Sequence, residues 1–381
     1  MSVSIKNITV AIDGMKSTGF CVELDGAKWR LDDFILCQSL LAVSSLSFSM
    51  HKEPDERINE ISFDVCGQII GKEISVLLET ESVEKESFKV ETEAASDVNF
   101  KGVIVSASAA RNRSEFIVNV QACGWDALLN DNPNCKSYEN KTLDEIVQDV
   151  VGDYAERLET EIKPRFSGVI PYCVQYNETD FQFLQRLAKR YGEWMYNDGE
   201  RFVFGVMPDG ERVKLTYPSQ DIPSYNVDLR ICHTQFRHLA SSYNSDDATL
   251  KEGREEMLRE YNVLSERVFA ASEETFVKPT LRNVLSGGFA DEDGRETILN
   301  VSTKTQARGE KAGMLTYSGT SYCSRLKIGG IVVIEDNYMP DGASLEKSKV
   351  EQDEILITEI SHRFSADESY SNHFVGIPSV C

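Results

Sequence analysis

The sequence predicts a mainly β protein with a small α+β insert near its middle. Three observations carry that expectation: apolar and polar residues alternate with period two up to about Asn130, two well-signalled helices lie between about 131 and 217, and alternating stretches return from 218 to 381. With 381 residues the chain exceeds what one hydrophobic core usually organises, so more than one domain is expected.

In the first region, "EFIVNVQACGW" sends Phe116, Val118, Val120 and Ala122 to one side and Asn119 and Gln121 to the other, the pattern of a half-buried strand. "FKGVIVSASA" and "SVLLETE" read alike, and polar turns such as "HKEPDERIN" separate them. Short strands at this spacing predict an all-β antiparallel barrel or sandwich over 1–130 rather than βαβ units.

Beyond the polar connector "NDNPNCKSYENK", Thr142 and Glu145 have the spacing of a capping box, and Leu143, Ile146, Val147, Val150 and Val151 recur at helical intervals up to Gly152. A second box, Thr179 with Gln182, opens a helix whose Phe183, Leu184, Leu187, Ala188 and Tyr191 form an apolar stripe, and Gly192 supplies a left-handed exit. "EWMYNDGERFVFG" then predicts a hairpin closed at Asp198-Gly199 by a type I′ turn, and "GVMPDGERVKLTY" another tight turn. These elements make 131–217 a small α+β domain.

From 218 to 381 the strand pattern is clearest in "GGIVVIED" and "EILITEISHRF". An insertion over about 245–300 contains "LKEGREEMLREYNVLSERVFAA", which reads as a mostly solvated helix, and "SGGFADEDGRE", which reads as a flexible acidic loop.

Composition narrows the function. Forty Lys and Arg against 62 Asp and Glu give a net charge of -22, which repels phosphate backbones, so no nucleic-acid partner is expected. No apolar run approaches the ~18 residues of a membrane helix, so no stable membrane insertion is expected. The opening "MSVSIKNITVAIDG" lacks a continuous apolar segment and a small-residue cleavage site, which predicts synthesis and folding in the cytoplasm. Nine cysteines without a CxxC pair read mostly as buried reduced thiols.

Chemistry has no visible address. Cys232, His233 and His238 carry metal-ligating groups, but their spacing matches no familiar zinc site, and "DEDG" at 291–294 lacks the rest of a calcium loop. No GxSxG, HExxH, GxxxxGKS or GxGxxG occurs, and the five histidines are scattered, so no metal, cofactor or catalytic residue is assigned. A carboxylate-dependent cell-wall hydrolase remains the enzymatic alternative, without a carboxylate pair to single out.

The segment "YCVQYNETDFQFLQRLAKRYGEWMYND" resembles the signature of the VgrG family of type VI secretion spike proteins. In the family's order, "FKGVIVSA" and "FIVNVQACGWDALL" are similar to strands of its first barrel, and "KSYENKTLDEIVQDVV" to its short helix. "SGTSYCSRLKIGGIVVIED" and "ILITEISHRFSADESYSNHFVGIPS" resemble its closing strands. The resemblance implies a fold like the phage-tail hub, with two β-barrel domains per subunit and three subunits in a pseudo-sixfold ring. It implies as partners a homotrimer, a sixfold Hcp-type tube, baseplate components, and a needle tip or effectors expelled by sheath contraction. The motif positions are Gln175, Tyr176, Asp180, Phe183, Leu184, Arg186, Leu187 and Gly192, with His362, Tyr370, Asn372 and Phe374 near the end, all read as structural. Complete members continue into a connector and a β-helix needle where this chain ends in "GIPSVC", so either an excised hub region or a hub with a separate needle chain is expected. A phage or other contractile-injection hub is the alternative reading.

Overall fold

The computed structural model describes residues 2–24, 26–52, 64–83, 96–111, 116–206, 212–219, 221–242, 248–257, 263–287, 292–336, 350–367 and 369–379. The first part contains strands β1 (Ser2–Ile12), β2 (Lys16–Thr18), β3 (Cys21–Leu24), β4 (Ala27–Ser39), β5 (Ser45–Lys52), β6 (Glu73–Val83), β7 (Ser96–Arg111) and β8 (Phe116–Gly124). Its longer strands are joined in the antiparallel order β1-β6-β7-β8-β5-β4. β8 alternates as its sequence dictates, with Phe116, Val118, Val120 and Ala122 buried, and Trp29 meets Phe116 edge to face at 5.9 Å. One expectation fails here: a six-residue helix, α1 (Asp64–Ile69), interrupts the region read as all-β, burying Val65 and Ile69 against the sheet. Only two of its apolar side chains turn inward, too few for periodicity to announce a helix.

A 3-10 turn, Trp125–Asn130, leads into β9 (Asn134–Thr142), α2 (Leu143–Gly152), β10 (Thr160–Ile162), β11 (Val169–Glu178), α3 (Asp180–Tyr191), β12 (Met195–Asn197) and β13 (Phe202–Phe204). Both capping boxes are formed, at Thr142–Glu145 and Thr179–Gln182. The predicted stripes of α2 and α3 are buried in one apolar cluster. The β12–β13 hairpin is present, but Asn197 pairs with Phe202, so four residues close it instead of a two-residue type I′ turn. Asp198 accepts from the backbone N–H groups of Glu200 and Arg201 at 2.9 and 2.7 Å, and that side-chain turn replaces the tighter one.

The last part comprises β14 (Arg212–Tyr217), β15 (Ser224–Leu229), β16 (Phe236–Ser242), β17 (Ala248–Glu252), α4 (Arg254–Met257), α5 (Val263–Thr275), β18 (Thr280–Gly287), α6 (Glu292–Ala312), β19 (Leu315–Ser321), β20 (Ile331–Asp336), β21 (Val350–Phe364) and β22 (Tyr370–Pro378). β21 and β22 form a long hairpin that serves two cores. The end of β21 pairs with β4, from Glu359 opposite Ser39 to Phe364 opposite Phe34, while its beginning pairs with β20. Phe34 stacks on Phe48 at 5.1 Å and on Phe364 at 4.8 Å, so the hairpin tip completes the first core, while Ile355, Ile357, Ile360 and Phe374 belong to another.

The insertion departs most from expectation. Residues 292–294 begin the 21-residue helix α6 rather than lying in an acidic loop, and 250–252 belong to a strand. Ile298, Leu299, Thr303 and Ala307 of α6 are buried, as are Ser265, Val268, Phe269 and Ser272 of α5, so neither helix is simply solvated. The cysteines also differ from expectation: Cys173 and Cys323 are buried, whereas Cys37 and Cys135 are exposed. The turns read at "HKEPDERIN" and "MPDGE" fall mostly or wholly outside the described residues.

Candidate functional site: a capped helix and two buried polar junctions

The motif around α3 is a hydrogen-bonded bracket, in which Gln175 Oε1 alone is buried without a hydrogen-bond partner among the described residues. Gln175 is fully buried on β11 and donates to the Glu178 carbonyl at 3.0 Å and to Asp180 Oδ1 at 2.6 Å. Asp180 also accepts from Tyr154 Oη at 2.7 Å, and burial with this bond pushes the Tyr154 phenol upward. Arg186 donates to the Val174 carbonyl at 2.7 Å and through Nε to Glu178 at 3.1 Å, tying the helix back to its strand. Its guanidinium lies 5.2 Å from the centre of the Phe183 ring. Phe183, Leu184 and Leu187 are completely buried. At the far end Gly192 takes φ 71° and ψ 35°, and a Cβ there would lie 2.7 Å from Thr305 Oγ1 of α6. Helix exit and helix–helix approach thus both demand glycine. Tyr176 stands apart: it is 77% exposed on the outer face of β11, close to exposed Tyr172 and Val174.

The other motif residues form a second buried centre on the β21–β22 hairpin. His362 Nδ1 lies 2.7 Å from Tyr370 Oη, and Asn372 Nδ2 donates to that phenol at 3.2 Å and to the Cys323 carbonyl at 2.7 Å. Phe374 is fully buried two residues further on. Burial, with a smaller contribution from Lys327, lowers the His362 pKa from 6.5 to about 3, so the imidazole is neutral at physiological pH.

A third polar centre was not singled out by the sequence. Asp126, 1% exposed, accepts from Asn197 Nδ2 at 2.9 Å and from the Ser44 backbone N–H and hydroxyl at 3.4 Å each. Asn197 Oδ1 in turn accepts from the Gly199 N–H at 2.8 Å. A Cβ on Gly124 would lie 2.3 Å from both Asp126 Oδ1 and Ser44 Oγ, so only glycine leaves room for the pair. Burial raises the Asp126 pKa from 3.8 to about 6, against the lowering effect of these bonds. The participants lie 71 and 82 residues apart, and the only local trace is "CGWD", in which an acid follows an apolar strand.

These centres are turned inward and most of their polar groups bond to one another; Gln175 Oε1 and Asn372 Oδ1 are buried without a partner among the described residues. The former metal candidates go separate ways. Cys232 Sγ lies 3.6 Å from the Glu310 carbonyl, the His233 ring meets that of Phe276 at 4.2 Å with a 37° tilt, and His238 lies 3.3 Å from Thr303 Oγ1. Among the described residues no group of three or more His, Cys, Asp and Glu side chains has metal-holding geometry.

Known proteins share this architecture. A tail protein from Neisseria meningitidis MC58 superposes with a TM-score of 0.63 at 12% identity, over 100% of this chain and 97% of that one. The 43 kDa tail protein of prophage MuSo2 from Shewanella oneidensis gives 0.59 at 13% identity, over 98% of both chains. An E. coli component of the type VI secretion system, described as similar to the T4 bacteriophage tail proteins gp27 and gp5, gives 0.51 at 15% identity over 97% of this chain and 76% of that one. In sequence, the type VI secretion system spike protein VgrG1b of Pseudomonas aeruginosa is 26% identical over 143 residues, a stretch spanning 36% of this chain and 19% of that relative. The profile of the phage tail baseplate hub (GPD) proteins matches residues 64–368, and the chain belongs to that family.

Proposed function

We propose that the chain is a non-enzymatic hub of a type VI secretion spike, assembling as a homotrimer on a sixfold Hcp-type tube and carrying a needle tip or effectors. In this reading residues 1–130 and 218–381 supply two barrel-like units per subunit, with 131–217 between them, and three subunits present six units to the tube. The observation that carries it is the hub-like fold over the whole chain, together with motif positions that form inward-facing brackets. A hub works by keeping its shape under thrust, and buried, mutually bonded side chains resist deformation. The hub assembles in the cytoplasm and leaves the cell when the sheath contracts.

The deciding experiment is light scattering across protein concentration at low and moderate salt, followed by particle imaging and stoichiometry on the tube. A closed trimer strengthened by salt is expected, because subunits carrying -22 each repel one another at low ionic strength. A monomer at every concentration, or a closed dimer, overturns the reading. The hub of a prophage-type tail is the second reading, favoured by the higher TM-scores of the two tail proteins. Binding to a phage tube in preference to an Hcp-type tube would select it.

A further inference from the structure

A cavity of about 1050 Å³ opens between the end of α3, the middle of α6 and the end of the β21–β22 hairpin. Its charge runs against the rest of the molecule. In a chain with 62 acids and 40 bases, the charged residues lining it, among the described residues, are Arg165, Lys189, Lys304, Arg308 and a single acid, Glu193. That acid is 1% exposed at its side chain: Oε1 accepts from the Phe166 N–H at 2.8 Å, and Oε2 lies 3.7 Å from Arg165 Nε as an ion pair without a hydrogen bond. Arg165 also donates to the Gly192 carbonyl, offsetting the negative end of α3. Lys189, Lys304 and Arg308 have no hydrogen bond or ion pair among the described residues. Lys304 and Arg308 stand one turn apart on the same face of α6, and Lys189 comes from the last turn of α3. A second observation points the same way: Trp194, also in the wall, has a buried indole N–H without an acceptor among the described residues. Apolar side chains, Leu41, Val301, Leu356 and Ile377 among them, complete the lining.

We propose that this cavity is a docking site for a short acidic peptide segment of a partner protein, its carboxylates meeting Lys189, Lys304 and Arg308 and an apolar side chain filling the space between them. The cations come from two helices, Lys189 from α3 and the Lys304–Arg308 pair from α6, around an opening at the upper end of the size range of small-ligand pockets, which suits carboxylates spaced along a chain better than one compact anion. Nucleic acid fits less well, because a long polyanion would extend beyond the cavity over a chain whose net charge is -22. The site does not depend on trimer formation.

The test uses the full chain and a fluorescein-labelled peptide of about eight residues alternating Glu and Leu, with a Gln-for-Glu version as control. The acidic peptide should bind, weaken steeply as salt rises, and change the emission of Trp194, a change absent in Trp194→Phe. Lys304→Glu with Arg308→Glu should weaken binding at least about tenfold, since it replaces two attractions by two repulsions. Both positions are solvent-exposed, and circular dichroism checks the fold; Lys189→Gln, with an expected loss of about threefold, serves if the double variant does not fold. Equal binding of the Gln peptide, unchanged affinity in the variants, or displacement by inorganic phosphate at the peptide's own concentration overturns the proposal. A monomer that binds the acidic peptide retains this site and fails the hub reading, and a trimer that ignores the peptide does the reverse.

Discussion

Asp126 and His362 occupy comparable places, each buried in a polar junction where separate stretches of chain meet, yet acid acts on them in opposite directions. Burial disfavours whichever form is charged. For the carboxyl it lifts the pKa from 3.8 to about 6, so the folded state binds the proton more tightly than the unfolded chain. For the imidazole it lowers the pKa from 6.5 to about 3, so the folded state binds it less tightly. Asp126 therefore contributes stability that is present below about pH 4 and lost as pH rises through 6. His362 contributes stability that is present above about pH 6.5 and lost as pH falls towards 3. Between pH 4 and 6 the two nearly cancel, and only below that does the histidine dominate. The same solvent exclusion yields either sign, and which sign depends on the residue type.

The largest effect expected from this comparison belongs to His362. A shift of this size corresponds to stability on the order of 5 kcal/mol lost between pH 6.5 and 3. Urea unfolding of wild type and His362→Gln across that range measures it. The variant has its own cost at neutral pH, but the stability difference should shrink steadily as acid is added. A difference independent of pH would mean that the imidazole is protonated in the folded state or reaches water.

A packing defect gives the contrast. Leu184 is completely buried in α3 and does not titrate, so Leu184→Ala should cost about 2 to 5 kcal/mol by the same amount at pH 4 and pH 7. A cost that varies with pH would show that the junctions and the α3 core are not independent, and would break the comparison.

For Asp126 the expected effect is about 3 kcal/mol with the opposite sign. Asp126→Asn keeps an acceptor for Asn197 and removes the titration. Relative to wild type, the variant should become progressively more stable from pH 4 to pH 7. Parallel curves would sink the assignment of a raised pKa to this carboxyl.

The two junctions also differ in how far the sequence disclosed them. His362, Tyr370, Asn372 and Phe374 lie within one hairpin, and the resemblance to a known family marks them from the sequence. Ser44, Asp126 and Asn197 are brought together only by the packing of distant segments, so no local pattern could join them. The helices repeat the lesson. α3 announces itself through its box, stripe and Gly192, all set by contacts within a few residues. α6 begins in "EDGRE" and draws its buried residues, Ile298, Leu299 and Ala307, towards partners on α3 and β16, so tertiary packing overrides an acidic start that reads as a loop. The cationic cavity was illegible for the same reason, since its charges come from 165, 189, 304 and 308.

The smallest expected effect sharpens the histidine side. Asn372 Nδ2 donates to Tyr370 Oη, which leaves the phenol proton free to be donated to His362 Nδ1. That arrangement needs an unprotonated Nδ1, so the hydrogen-bond direction reinforces what burial already favours. Tyr370→Phe removes the donor, leaves Nδ1 without its partner and takes one of the Asn372 contacts, while the bond from Asn372 to the Cys323 carbonyl remains. The expected cost at pH 7 is about 1 to 3 kcal/mol. Without the phenol to enforce a neutral ring, the imidazole can accept a proton more easily, so the acid-dependent loss should become shallower than in wild type. Urea unfolding at pH 7, 5 and 4 reads both quantities. A cost at pH 7 with an unchanged acid slope would leave burial and Lys327 as the causes of the neutral histidine, whereas a steeper slope would contradict the proposed direction of the bond.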